Sequence, residues 1–168
     1  EYIGVLMKRA CLVLAGIVVL SLLLGQSYEP IPLILNMLAQ LNPDTLHAHV
    51  QHLQNYQTRH AMAGNQLQIA TWIADQFDSY GFSDTHFHEF PLQNTNQYNV
   101  IATIPGYQYP ERLMLVSAHY DSQSLNSSNF VWAPGADDNA SGTAALLEMA
   151  RVMKASSYQA RYSIVFTA

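Results

Sequence analysis

The chain has 168 residues, of which 49% are hydrophobic, and its 7 basic and 12 acidic side chains give a formal net charge of −5. An acidic chain without a lysine or arginine cluster argues against a nucleic-acid partner and against binding to an anionic membrane surface. Its single cysteine, Cys11, cannot form an internal disulfide, so no disulfide framework is expected.

The amino terminus has the pattern of a secretory signal peptide. A short basic start, Met7-Lys8-Arg9, precedes an almost unbroken apolar run over residues 10–25, and Gly25-Gln26-Ser27 offers a cleavage site between small residues. We therefore predict that residues 1–27 are a signal peptide and that the protein is secreted or periplasmic. The run is shorter than the roughly 20 apolar residues of a membrane span. The alternative is an uncleaved signal anchor over residues 10–25, and only in that case is the protein expected to associate with a membrane.

Residues 28–41 are expected to form a lead-in or linker. Asn42 before Pro43 predicts a helix start, with Asn42 as the cap and Pro43 at the first helical position. Several histidines follow on this helix, among them His49 and His52, and they indicate a polar helix face rather than a metal pair.

A second helix is predicted over residues 65–80, where apolar side chains recur at helical spacing. Gly81 is placed to end it in a left-handed conformation. Strands are predicted over residues 82–90 and 98–104, the first of them as a solvated edge strand.

A short apolar run over residues 113–118 predicts a buried strand. It ends in His119-Tyr120-Asp121. Residues i and i+2 of a strand point the same way, so His119 and Asp121 should share one face. A carboxylate that holds the second ring nitrogen of an imidazole is frequent in metal sites. Taken alone, a His-x-Asp is more often a hydrogen-bonded loop pair.

The next motif supplies more carboxylates. Pro134-Gly135 turns the chain, Asp137 and Asp138 follow, and Asn139 or Ser141 is expected to cap the next helix. On its own, an Asp-Asp-Asn before a helix is usually a cap cluster that complements the helix dipole.

The helix that begins near Gly142 is expected to place its apolar side chains on one face and Glu148, Arg151 and Lys154 on the other. Residues 162–167 predict the next strand. A parallel strand–helix–strand crossover is right-handed, and its functional loops lie at the carboxyl ends of its strands. The two carboxylate motifs should therefore meet at one edge of one sheet.

Helices followed by strands and then a strand–helix–strand unit indicate an α/β fold. We predict a mixed, mostly parallel β-sheet flanked by helices, with residues 42–168 as one domain that breaks off after a central strand.

Two motifs stand together in this chain, namely His119-Tyr120-Asp121-Ser122 and Pro134-Gly135-Ala136-Asp137-Asp138-Asn139-Ala140-Ser141-Gly142. In combination they resemble the metal-site signature of the M28 family of zinc aminopeptidases, of the bacterial leucyl-aminopeptidase kind. The resemblance extends upstream through Asn99-Val100-Ile101-Ala102 and Ile104-Pro105-Gly106. It covers about residues 42–168.

The resemblance implies a zinc-dependent exopeptidase that releases amino-terminal residues from peptides or proteins. In such enzymes two zinc ions share a bridging carboxylate, and a water between them is the nucleophile. Carried over by motif, His119 is a zinc ligand and Asp137 is the bridge. Asp121 is implied as a catalytic residue that hydrogen-bonds to His119, and Asp138 as a support for the loop.

The chain departs from the family pattern at its end. In the family, the strand that resembles residues 162–167 is followed by a Glu-Glu pair that supplies the general base and a zinc ligand. This sequence stops at Ala168, so the base and the remaining ligands are expected beyond it. The chain resembles the amino-terminal fragment of such an enzyme and is expected to be inactive alone.

Three other functions stay open at this stage. A glutaminyl-cyclase-like transferase shares the fold with a single zinc, but that branch has no second Asp or Asn after its ligand Asp. A non-catalytic, receptor-like relative would have lost the metals, and retention of His119 and Asp137 counts against it. A plain structural domain is the third. Substrate side-chain preference and the choice between one and two zinc ions are not readable from the sequence.

Overall fold

The structure, a computed structural model, describes residues 31–125 and 130–168. The predicted signal segment, residues 1–27, lies outside the described residues, as does the beginning of the lead-in. The chain divides into an amino-terminal unit, Glu1–Leu35, and a second unit, Asn36–Ala168, which contains every element discussed below apart from the start of the first helix. No helix in the described ranges is both long enough and apolar enough to cross a membrane.

Three helices precede the sheet, namely α1 (Pro32–Ala39), α2 (Pro43–Asn55) and α3 (Gln66–Ser79). The predicted start of α2 is confirmed, because the Asn42 side chain accepts hydrogen bonds from the backbone N–H groups of Asp44 and Thr45. The predicted end of the second helix is also confirmed. Gly81 follows α3 with a φ of +86°, a conformation that glycine adopts without the strain of a Cβ atom.

The sheet has four strands, β1 (Thr85–Leu92), β2 (Thr95–Ile104), β3 (Tyr109–Ser117) and β4 (Tyr162–Thr167), in the order β1-β2-β4-β3. β1 pairs antiparallel with β2, and β2 pairs antiparallel with β4. β3 pairs parallel with β4, and helix α4 (Ser141–Ala155) lies between them in the chain. The mixed sheet flanked by helices is thus confirmed, although only one of these three pairings is parallel.

The burial of the strands differs from expectation at β3. Leu113, Met114 and Leu115 are 55–67% exposed, whereas a buried strand was predicted. Among the described strands, β3 pairs only with β4 and so forms an edge of the sheet. The residues of β4 face neighbours on both sides, which is why Ile164 and Phe166 are buried.

The hydrophobic core lies between the sheet and the helices. Three phenylalanine rings pack together with centroids 5.4–6.3 Å apart. They belong to Phe77 on α3, Phe82 in the segment before β1, and Phe166 on β4. Leu147 on α4 is fully buried in the same cluster. Fully burying such a side chain contributes about 1.5–3 kcal/mol. This packing holds the ends of β3 and β4 in place beside the amino end of α4.

Two polar residues lie in the interior although a solvent-facing position was expected for both. Glu148 on α4 is 1% exposed, and His49 on α2 is 7% exposed. The His49 Nε2 atom lies 2.9 Å from the Tyr80 hydroxyl. Burial lowers the pKa of His49, with smaller effects from Glu148, which raises it, and from His52 and Arg151. The polar-face interpretation is therefore wrong for His49, whereas His52 is exposed.

Candidate metal centre

His119 lies just beyond the carboxyl end of β3, where the chain is fixed by hydrogen bonds on both sides. The Ala118 N–H donates to the Thr167 carbonyl on β4 over 3.1 Å. The hydroxyl of Thr143, which is fully buried on α4, donates to the His119 carbonyl over 3.1 Å. The side chain of His119 projects from this fixed backbone and is 57% exposed.

The two ring nitrogens of His119 face two carboxylates. Nδ1 lies 3.0 Å from Asp121 Oδ1, and Nε2 lies 3.2 Å from Asp138 Oδ1. A neutral imidazole carries one N–H, which can serve only one of these contacts. If Nδ1 donates to Asp121, the Nε2 lone pair faces a carboxylate, and a proton or a metal cation between them is needed to avoid repulsion. The predicted pairing of His119 with Asp121 is confirmed.

The structure places Asp138, rather than Asp137, opposite the His119 ring. Both aspartates lie in the irregular turn Ala136–Ala140, where Asp138 has extended backbone angles (φ −114°, ψ 98°) and Asn139 is non-helical as well. Its carboxylate points to His119. The Asp137 carboxylate is exposed and makes no hydrogen bond or ion pair within the described residues; its carbonyl accepts from the Ser141 hydroxyl over 2.7 Å. The geometry therefore favours Asp138, not Asp137, as a metal ligand.

Asn139 caps the helix that follows this turn. The sequence predicts either Asn139 or Ser141 as the cap. Its Oδ1 atom accepts a hydrogen bond from the Gly142 N–H over 3.1 Å. A Cβ atom at Gly142 would lie 2.3 Å from the same oxygen, so the cap requires glycine here. Ser141 instead donates back to the turn. The cap fixes the turn that carries Asp138 to the start of α4.

The separation of His119 and Asp138 fits a zinc site. A zinc ion bound at about 2.0–2.2 Å to a nitrogen and an oxygen with tetrahedral angles holds these atoms about 3.3 Å apart. The observed distance is 3.2 Å. Within residues 31–125 and 130–168 no group of three or more His, Cys, Asp or Glu side chains is arranged to hold a metal. A closed zinc site has four ligands, and this pair would supply two of them.

Two further side chains position the site, and neither was expected from the sequence. Thr143 holds the His119 carbonyl, and Arg59 donates to the Tyr120 carbonyl over 2.6 Å. A polar residue at a core-facing position of α4 is the signal that could have identified Thr143. Burial raises the pKa of Tyr120 to about 12, helped by Asp121 and Tyr98, and its hydroxyl donates to the Tyr98 carbonyl. His119 and Asp121 line an open cleft together with Tyr98 and Asn99.

Comparison with protein families agrees with this geometry. Residues 99–168 match the sequence model of peptidase family M28. Leucine aminopeptidase 1 of Ajellomyces dermatitidis is 32% identical over 124 residues, which cover 71% of this chain and 31% of that protein. A probable zinc metalloprotease of Pyrenophora teres f. teres is 31% identical over 153 residues, which cover 79% and 32%. The chain spans about a third of the length of these curated relatives.

Solved structures show the same fold. LapB from Legionella pneumophila superposes with a TM-score of 0.66 and 30% identity over 84% of this chain and 40% of that one. A glutaminyl cyclase from Tannerella forsythia superposes with a TM-score of 0.61 and 23% identity over 76% of this chain and 46% of that one, which is a likeness of fold alone. The motif around His119 and Asp138, the zinc-peptidase-like α/β sheet and these relatives together place the chain in peptidase family M28.

Proposed function

We propose that the protein acts as a zinc-dependent aminopeptidase that removes amino-terminal residues from peptides. The observation that carries this proposal is the approach of the Asp138 carboxylate to the Nε2 atom of His119 at 3.2 Å. Relatives named leucine aminopeptidase and zinc metalloprotease support it. Zinc, when bound, polarises a substrate carbonyl and lowers the pKa of its bound water toward about 7.

Each residue of the described site has a defined task in this proposal. Asp121 accepts the Nδ1–H of His119 and so directs the Nε2 lone pair toward the metal position. Asp138, with a side chain 86% exposed, supplies the carboxylate for which Asp137 was first expected. We propose that it is shared by two zinc ions and that the general base and the remaining ligands come from outside the described residues.

The activity is tested with an aminoacyl-anilide such as leucyl p-nitroanilide. We expect the enzyme that carries the base and the remaining ligands proposed above to release the anilide, to lose this activity on dialysis against a chelator, and to regain it with zinc, because the ligands are a histidine and carboxylates that suit this metal. A protein that is inactive with zinc, or equally active after complete removal of metal, would contradict the proposal.

Glutaminyl cyclisation is a second candidate because a cyclase shares the fold. Asn139 directly after Asp138 counts against it, since that branch has no second Asp or Asn after its ligand Asp. A peptide that begins with glutamine separates the two activities. An aminopeptidase releases free glutamine, whereas a cyclase releases ammonia and leaves the peptide blocked.

Asp121→Asn tests the role of the carboxylate behind His119. We expect zinc affinity to fall about 10- to 100-fold with the fold intact, as is usual when a residue that orients a ligand is changed. Asp84→Asn is a matched control, because Asp84 pairs with the exposed His86 over 3.6 Å on the β1 edge. Calorimetric zinc titration measures both variants. If both changes lower zinc affinity equally and only slightly, Asp121 does not orient a zinc ligand.

A further inference from the structure

Arg59 is a buried cation whose role the zinc site alone does not explain. Its side chain is only 1% exposed, between the end of α2 and the start of α3. Buried charges are usually paired with an opposite charge because the loss of hydration is costly. Among the described residues, no carboxylate lies within ion-pair distance of this guanidinium. Burial lowers the pKa of Arg59, and Asp121 raises it in part.

Backbone carbonyls take the place of a carboxylate around Arg59. Nε donates to the Tyr120 carbonyl over 2.6 Å and Nη2 to the Gly135 carbonyl over 2.8 Å. Nη1 donates to the carbonyls of Leu53, over 2.9 Å, and Pro134, over 2.6 Å. One planar group therefore joins the residue between His119 and Asp121 to the turn that leads to Asp138.

The backbone of Arg59 makes a second connection between the same segments. Its N–H donates to the Ser122 hydroxyl over 2.9 Å, and its carbonyl accepts from the Ser122 N–H over 3.2 Å. The Ser122 hydroxyl in turn donates to the Ala133 carbonyl. The packing is tight, because a Cβ atom at Gly135 would lie 3.0 Å from Arg59 Nη2 and 2.5 Å from the Asp138 carbonyl.

We propose that Arg59 is a positioning residue that sets the separation between His119 Nε2 and the Asp138 carboxylate, and through it the affinity for zinc. Arg59 lies at the wall of the cleft that His119 and Asp121 line but is only 1% exposed, and in this proposal it binds neither the metal nor the substrate. It acts through the two backbone segments on which the ligands lie. The inference rests on the proposed zinc function.

Arg59→Lys separates this role from a need for positive charge. Lysine keeps the charge but has a compact ammonium group that cannot span carbonyls on three segments in a fixed plane. Arg151→Lys is the matched control. Arg151 also donates to a backbone carbonyl, that of Gln40 over 2.7 Å, but binds Glu148 and contacts no residue of the site.

We expect both lysine variants to lower the melting temperature. Only Arg59→Lys should weaken zinc binding by about 10- to 100-fold, the range for residues that orient ligands, and alter the visible absorption of the cobalt-substituted protein. A purely structural role would change stability and leave the metal spectrum of the folded protein unaltered. Zinc binding is measured by chelator competition at a temperature at which each variant is folded.

A second pair of variants covers the case in which Arg59→Lys does not fold. Ser122→Ala removes the two hydrogen bonds of the Ser122 hydroxyl, to the Arg59 N–H and the Ala133 carbonyl. It leaves the guanidinium and the Ser122 N–H bond to the Arg59 carbonyl in place, and we expect it to weaken zinc binding several-fold. Ser163→Ala is its control, because buried Ser163 also joins two segments, accepting from the Gly106 N–H and donating to the Pro110 carbonyl, at the amino end of β4. It should leave zinc affinity unchanged.

The outcomes distinguish this inference from the proposed function. The inference alone would be overturned if the unsubstituted protein binds zinc and Arg59→Lys has the same zinc affinity and cobalt spectrum. If Arg59→Lys does not fold, the same result in Ser122→Ala would overturn it. Equal weakening by the control variants would overturn it as well. Absence of zinc binding by the unsubstituted protein would overturn the proposed function and the inference with it.

Discussion

Replacement of Asp138 by alanine is expected to lower zinc affinity by more than about 100-fold, beyond the usual effect of residues that only support a ligand. The reason is geometric. Asp138 Oδ1 lies 3.2 Å from His119 Nε2, a separation that suits two ligands of one zinc ion. Removal of this carboxylate leaves His119 without its facing partner. Calorimetric titration or chelator competition measures the loss.

Asp137→Ala is the matched control for this change. It removes the same charge one residue earlier, from a carboxylate that is exposed and makes no hydrogen bond or ion pair within the described part of the chain. We expect its zinc affinity to stay within about threefold of the original, because exposed charges act only through a screened field. The opposite order, with Asp137→Ala the more harmful change, would restore the assignment expected from the sequence.

Replacement of Glu148 by alanine is expected to destabilise the fold by about 3–5 kcal/mol, the range for breaking a buried ion pair. Glu148 Oε1 accepts hydrogen bonds from the Asn42 N–H and Arg151 Nη2, and Oε2 accepts from Arg151 Nε, each over 2.7 Å. Alanine leaves Arg151 and the Asn42 N–H without this partner. Chemical denaturation of both proteins measures the difference.

The stabilisation by Glu148 should depend on pH. Burial alone would raise its pKa, but hydrogen bonds from Arg151 and Asn42 outweigh burial and hold the pKa below its usual value. A carboxylate with a lowered pKa in the folded state stabilises above its unfolded pKa and loses this contribution as the pH falls through the folded value. The difference between Glu148→Ala and the original protein should therefore shrink in acid.

Glu111→Ala is the control for this change. Glu111 is 69% exposed and lies 4.0 Å from Arg112, so the substitution removes a glutamate–arginine pair at the surface. We expect a change within about 0.5 kcal/mol. A similarly small effect of Glu148→Ala would show that the buried network contributes little to stability.

The features of this fold that are predictable from the sequence are those that local chemistry decides. Asn42 and Gly81 mark helix ends because capping depends on a few neighbouring residues. The mixed sheet followed from the order of helices and strands. The edge position of β3 was not predictable in this way, because burial of Leu113 to Leu115 depends on which strands lie beside it.

The features of the site that the sequence does not reveal have the same origin. Asp137 and Asp138 are adjacent, and only the backbone angles of an irregular turn decide which carboxylate reaches His119. Arg59 lies 61 residues before Tyr120 and 76 before Gly135, so no local pattern connects them. Glu148 is predicted to share a helix face with Arg151 and Lys154. It is buried instead, where its carboxylate accepts a hydrogen bond from the N–H of Asn42, 106 residues away in the chain.

The most direct test of the account is a crystal structure of the zinc-loaded protein with anomalous diffraction recorded at the zinc absorption edge. We predict an anomalous peak within about 2.0–2.2 Å of both His119 Nε2 and a carboxylate oxygen of Asp138, with Asp121 still bound to His119 Nδ1. A peak bonded to Asp137 with Asp138 turned away, or zinc bound without His119, would contradict it.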